Sequence, residues 1–209
     1  MIVNLADREV SFKIVYYGPG LCGKTTNLLR IYSRLDKGKG ELVNLANKED
    51  RTIFFDFASL NVGRLGGLMV KFSLYTVPGQ SLYKVTRKLV LKGVDGLVFV
   101  ADSSPARFKA NVLSLQEMSE YLKEVAGVFV KDIPLVIQYN KRDLADAVPL
   151  KLLERINVLG MRVPAFESVA TEGKGVMETF NAIMKMVLQR YGSALKGTGK
   201  GVRQVKELG

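Results

Sequence analysis

Apolar runs bounded by turn residues recur at FKIVYYG (12–18), TIFFDFASL (52–60), LMVKFSLYTV (68–77), DGLVFVADS (95–103), PLVIQYN (134–140) and PAFESVA (164–170). Their lengths and boundaries predict β-strands. Between most of them the spacing changes to three and four. Phe108, Val112, Leu115, Leu122 and Val125 share one face after a Ser104-Pro105 start, and Val176, Phe180, Ile183, Val187 and Tyr191 share another, the signature of amphipathic helices. Strand and helix alternate, which predicts a mainly parallel sheet with helices on both faces. The pair 52–60 and 68–77 breaks the alternation. Only VGRLGG joins them, too little for a crossover helix, so they are expected to form an antiparallel hairpin turning near residues 64–65. Past residue 195 the sequence GTGKGVRQVKELG loses its periodicity. The expected organisation is one domain over 1–195 and a flexible basic tail over 196–209.

Composition narrows the chemistry. The 209 residues suit one core, and 47% hydrophobic with 24% charged residues is the balance of an ordinary globular protein. No apolar run reaches the roughly 18 to 20 residues that cross a bilayer, and MIVNLADREV lacks a signal-peptide layout, so a cytoplasmic location is expected. With no histidine and one cysteine, a His/Cys zinc site and a Ser-His-Asp triad are excluded. Any metal must be held by oxygen. The net charge of +11 suits an anionic partner, membrane surface or nucleic acid, or simply a solubilising surface.

GPGLCGKT, Gly18 to Thr25, fits G-x-x-x-x-G-K-[ST] and stands between a strand and the helical pattern KTTNLLRIYSRL. Gly18, Gly20, Leu21, Cys22, Gly23, Lys24, Thr25 and Thr26 are therefore the expected phosphate-binding set. Loop amides surround phosphate oxygens, Lys24 neutralises charge, and the Thr25 hydroxyl ligates Mg²⁺. Cys22 reads either as a reactive thiol, favoured by a helix N-terminus and a lysine, or as a small filler.

NKRD, Asn140 to Asp143, closes the strand PLVIQY, at a strand end, where open α/β folds bind ligands. An Asp143 carboxylate can accept from guanine N1–H and the N2 amine, whereas adenine offers neither. Lys141 can lie along the ring, and Asn140 can tie the turn to the phosphate loop. In ESVAT, Ser168, Val169 and Ala170 follow the next strand, and the Ala170 N–H could meet guanine O6.

At this point the chain is similar to the Ras-like small GTPases over nearly all of residues 10 to 192. More narrowly, KIVYYGPGLCGKTTNL, DRTIFFDF, YTVPGQ, RKLVLKGVDGLVFVADS and IQYNKRDL resemble the bacterial gliding-motility GTPases of the MglA type. The resemblance implies an α/β P-loop NTPase fold, a Ras-like six-stranded, mostly parallel sheet with one antiparallel strand. It also implies binding and hydrolysis of GTP to GDP with Mg²⁺. The family strand motif D-x-x-G reads Thr76-Val77-Pro78-Gly79 here. Gly79 would sense the γ-phosphate, Gln80 would orient the attacking water, Thr52 would close onto Mg²⁺, and Arg51 would act as a built-in arginine finger.

With Thr76 in place of the family Asp, Mg²⁺ lacks a nearby carboxylate. On the expected hairpin register Asp56 lies opposite about Leu74 and diagonal to Thr76, within reach of the metal's water shell. The alternative is an Asp facing solvent from an edge strand. Lys84, Lys88 and Lys92, with Arg87 beside them, would form a basic helical stripe, either solvated or a docking face. The resemblance further implies control of motility or polarity, a homodimeric roadblock-type (MglB-like) activator, effector proteins, and a chain that is monomeric by itself. No C-terminal cysteine offers lipidation, so membrane contact would be peripheral. Two other classes stay open on the residues alone: an interaction module with negligible turnover, and a nucleic-acid binder, which no aromatic-rich basic motif supports.

Overall fold

The computed structural model describes residues 1–34, 39–44, 56–78, 84–157, 160 and 162–206, with 39–44, 56–57 and 193–206 described through their backbone. The strands are β1 (Ile2–Asn4), β2 (Glu9–Tyr17), β3 (Lys39–Asn44), β4 (Asp56–Leu65), β5 (Leu68–Thr76), β6 (Gly96–Asp102), β7 (Leu135–Asn140) and β8 (Ala165–Glu167). The helices are α1 (Lys24–Arg34), α2 (Lys84–Leu91), α3 (Phe108–Ala126), the short α4 (Leu150–Leu153) and α5 (Val176–Lys206).

One eight-stranded sheet runs β3-β4-β5-β2-β6-β7-β8, with β1 paired to β2 off that path. Strand β2 is the axis. It runs parallel to β5 (Ile14 opposite Leu74) and to β6 (Ile14 opposite Gly96), and β6–β7 and β7–β8 are also parallel. The expected α/β class holds, and the strand count exceeds the expected six. The additional strands are β1, three residues long, and β3, whose sequence KGELVN is too polar to stand out as an apolar run. Both pair antiparallel, β1 with β2 and β3 with β4.

Alternation along β2 divides the core in two. Val10, Phe12, Ile14 and Tyr16 face α1 and α5, where Leu28, Ile31, Phe180 and Ile183 complete one apolar cluster. Val15 and Tyr17 face the opposite layer, with Leu91 of α2 and Leu115, Met118 and Leu122 of α3. Burying each such side chain is worth about 1.5–3 kcal/mol. Strands β6 and β7 are buried along their whole length, as a central parallel strand covered on both faces must be. Close packing of α5 depends on Gly96, since a Cβ there would lie 2.6 Å from Val187 Cγ2.

The β4–β5 hairpin forms as expected, at a different place. Its turn is Gly66-Gly67, with φ of 59° and 85°, values that glycine adopts without strain in a tight primed turn. A bulge lies between Asn61 and Gly63, and beyond it Phe57 stands opposite Tyr75 and Ala58 opposite Leu74. Continued by one residue, this register sets Asp56 across from Thr76, rather than across from Leu74. Turn position and bulge are what the strand pattern alone did not reveal. The helix α5 continues to Lys206, through most of the segment expected to be a tail.

Candidate functional site

The phosphate-loop sequence closes around its own lysine. Lys24 begins α1 and is buried, and its Nζ donates to the carbonyls of Gly18 (3.0 Å) and Pro19 (2.7 Å). Gly18, Leu21 and Gly23 have φ of 148°, 62° and 101°, so the chain curls through left-handed conformations with main-chain groups turned to the loop interior. A Cβ on Gly23 would come within 2.2 Å of Asn140 Nδ2. Thr25 is exposed at the first turn of α1, and Thr26 is half-buried beside it.

Asn140 joins the two motifs. Its Nδ2 donates to Cys22 O at 2.8 Å, and its Oδ1 accepts from Ser168 Oγ (3.0 Å) and Ala170 N–H (2.9 Å). One amide thus ties together the phosphate loop, the end of β7 and the Ser168–Ala170 segment. The Ala170 N–H, expected to point at guanine, is engaged by Asn140 here. Val169 is buried and bridges to Lys174. Asp143 is exposed in the turn. Arg142, between them, is spent structurally, with Nη1 on Val148 O at 2.7 Å and Nε on Glu167 at 3.0 Å.

Cys22 is fully buried, and burial pushes its thiol pKa up. Lys24 opposes that shift and Asp102 adds to it. This decides between the two readings of Cys22 in favour of the filler, because the thiolate is the reactive form.

The sequence reading missed several groups that brace the loop from beneath. Gln138 Nε2 donates to Asn27 Oδ1 (3.0 Å) and Thr179 Oγ1 (3.1 Å), while Asn27 Nδ2 holds Gly23 O at 2.9 Å. Arg107 donates to Gly20 O at 2.7 Å, and Asp102 accepts from Lys141 Nζ at 2.6 Å. A usable signal existed for Asp102. It is the one charged residue of GLVFVAD, placed at the carboxyl end of a central strand, where such sheets bind ligands.

On the other side, β5 leads to Pro78, whose carbonyl accepts from Arg87 Nε at 2.8 Å. Arg87 also forms an ion pair with Glu117 of α3 and lies over the Tyr17 ring. The expected basic stripe is corrected accordingly. Arg87 is 3% exposed and inside the protein, Lys88 pairs with Glu124 at 2.6 Å, and Lys92 lies beyond the end of α2. Arg51, Thr52, Gly79 and Gln80, and the side chain of Asp56, lie outside the described residues.

A buried lysine in a curled loop at a helix N-terminus has the chemistry to hold phosphate, and the turn bonded to that loop carries an exposed carboxylate, Asp143. The profile of the ADP-ribosylation factor family matches residues 1–187. The chain is 50% identical over 188 residues to the mutual gliding-motility protein MglA of Myxococcus xanthus (strain DK1622), covering 89% of this chain and 95% of that one. It is 25% identical over 186 residues to ADP-ribosylation factor-like protein 4A of Homo sapiens, covering 86% and 85% of the two chains. To the Ras-related protein Rab-21 of Mus musculus it is 22% identical over 200 residues, covering 95% and 83%. The chain therefore belongs to the ADP-ribosylation factor family of small GTPases, and it binds GTP and hydrolyses it.

Proposed function

We propose that this GTPase is a switch for bacterial gliding motility and cell polarity, acting in the cytoplasm, active while it holds GTP and shut off by hydrolysis. The observation that carries the reading is the Asn140 bond to the phosphate loop, which joins triphosphate and base recognition in one rigid unit. The 50% identity to a mutual gliding-motility protein supports the pathway.

In this reading Lys24 neutralises phosphate charge, and loop amides from Gly18 to Thr26 hold the phosphate oxygens. Asp143 selects guanine, with Lys141 along the ring and the Ser168–Ala170 segment beside it. Mg²⁺ would be held through Thr25, Thr52 and Asp56, and when bound it neutralises charge on the phosphates. Such an ion keeps several waters and leans on substrate phosphates. Gln80 orients the attacking water and Arg51 stabilises the charge that develops, both supplied by this chain. Gly79 senses the γ-phosphate.

The expected partners are a homodimeric roadblock-type activator of the MglB kind and downstream effectors, with the chain monomeric between encounters. Exposed Val85 and Leu89 on α2, 71% and 64% accessible, support a docking face beside the switch. No helix among the described residues is long and apolar enough to cross a membrane. Lys131, Arg162 and Arg190 line a basic cleft at the opposite end of the sheet, which supports peripheral contact with an anionic surface. Nucleic acid is not part of this reading. The test is multiple-turnover phosphate release from GTP and ATP, with and without the activator. Turnover of GTP alone, accelerated by the activator, is the expected result. Equal use of ATP, or no turnover under either condition, would overturn it.

A further inference from the structure

Asp102 closes β6, and its side chain is 2% exposed. A carboxylate so placed has lost its water and must be compensated. Both oxygens are occupied: Oδ2 accepts from Lys141 Nζ at 2.6 Å and Oδ1 from the Ser104 N–H at 3.0 Å. The main chain of the same residue is clamped by Asn111, which donates to its carbonyl and accepts from its N–H, each at 2.9 Å. The carboxylate is therefore fixed in position before any ligand arrives.

The lysine it holds is the opposite case. Lys141 sits in a left-handed conformation with φ of 64°, uncommon for a residue with a side chain. Its side chain is 35% exposed, and a four-carbon stem at the surface has many rotamers open to it. The turn is tied to the end of β6 a second time, where the Ser103 N–H donates to Asn140 O at 2.9 Å.

We propose that Asp102 is a positioning residue for the guanine site. It anchors the Lys141 ammonium, so that the lysine stem is held as a ready-made wall for the purine ring. This rests on the reading of Asn140–Asp143 as the base-binding turn. Asp102 touches no nucleotide and acts through Lys141. Its contribution is pre-organisation: the side chain is ordered in advance, which lengthens nucleotide residence. A strong charge-assisted bond to a buried, doubly held acceptor suits that task better than a neutral one.

The experiment is dissociation of a fluorescent N-methylanthraniloyl-GDP from the full chain, from Asp102→Asn, from Lys141→Ala, and from the double variant. Asp102→Asn keeps the shape and the acceptor for Ser104 but removes the charge, and it is expected to speed release about tenfold. In the Lys141→Ala background the same substitution is expected to change the rate less than about twofold, because the lysine it positions is gone. Equal acceleration in both backgrounds would mean that Asp102 only supports the fold, and overturns the proposal. So does a rate for Asp102→Asn within twofold of the parent. Asp102→Glu keeps the charge and displaces it by one methylene; it too is expected to release faster, and it serves if the Asn variant does not fold. If the parent itself retains no GDP, the base-site reading fails first, a result separate from any effect of Asp102.

Discussion

The two halves of the nucleotide site are built from different kinds of bond. In the phosphate-and-base half, side chains cross large sequence separations to hold another segment, as Asn140 does to Cys22 and Ala170 and Lys141 does to Asp102. The other half is the β4–β5 hairpin and α2. Its bonds are mostly the regular backbone ladders of β5 with β4 and with β2, and among the described residues Arg87 Nε donates to the Pro78 carbonyl. The base turn cannot move without breaking several of these ties, and on the other side β5 is likewise held by a parallel ladder to β2, from Met69 to Thr76. Side-chain bonds thus join the base turn to the phosphate loop, while backbone pairing carries the other half.

The comparison breaks most visibly at the base. If the first half is rigid and selective, GTP is expected to bind up to ~10⁴- to 10⁵-fold more tightly than ATP. Asp143→Asn is expected to lose GTP and gain xanthosine triphosphate, whose C2 oxygen can meet the amide, in titration calorimetry. On the other half, Arg51→Ala or Gln80→Leu is expected to lower activator-stimulated single-turnover hydrolysis by ~10³-fold or more. GTP affinity is expected to stay within about tenfold, the pattern of groups used in the transition state. Near-normal stimulated turnover in Arg51→Ala would place the finger on another molecule.

A smaller effect sharpens the boundary between the halves. With Asp56 in register with Thr76, Asp56→Asn is expected to raise the Mg²⁺ needed for nucleotide retention, and Thr76→Ala to raise it less, because a charged acceptor outweighs a neutral one. The reverse order, read from release rates across a Mg²⁺ titration, would exchange their roles. The smallest effect lies in the sheet that both halves share. The Tyr16 hydroxyl is buried with no hydrogen-bond partner among the described residues, so Tyr16→Phe is expected to leave stability unchanged or raise it by about 1 kcal/mol. Burial also raises the Tyr16 pKa far above 10.0. The folded state therefore disfavours the phenolate, and the stability present below pH 10.0 falls as pH rises past it. Urea denaturation at pH 9 and pH 11 should show the Phe variant losing less stability between the two, by about 1.4 kcal/mol in total.

Legibility followed the same division. The six apolar runs located six strands, because a buried parallel strand is apolar throughout and its boundaries carry turn residues. The phosphate loop and NKRD were legible because phosphate and guanine constrain residue type at fixed spacing. Asn140 was read correctly as the link between them. The hairpin register was not legible: a bulge at Asn61–Gly63 and a turn at Gly66-Gly67 shift pairing without changing the alternation that the sequence displays. Arg87 looked like part of a surface stripe, since its burial depends on Glu117 and Tyr17, which come from distant elements. Gln138 was hidden for the same reason, as a polar residue inside a strand whose partners are supplied by the fold, whereas Asp102 carried a signal, as the one charged residue of its strand.

Asn140 has one further consequence, for synthesis. Its three partners lie at Cys22, Ser168 and Ala170, so the phosphate loop is translated long before the segment that helps fix its seat. A ribosome that has reached residue 140 has already made the entire phosphate loop, and the amide that braces it still lacks two of its three contacts. A chain stopped before Ser168 therefore carries the whole loop without two of the three contacts of the amide that braces it.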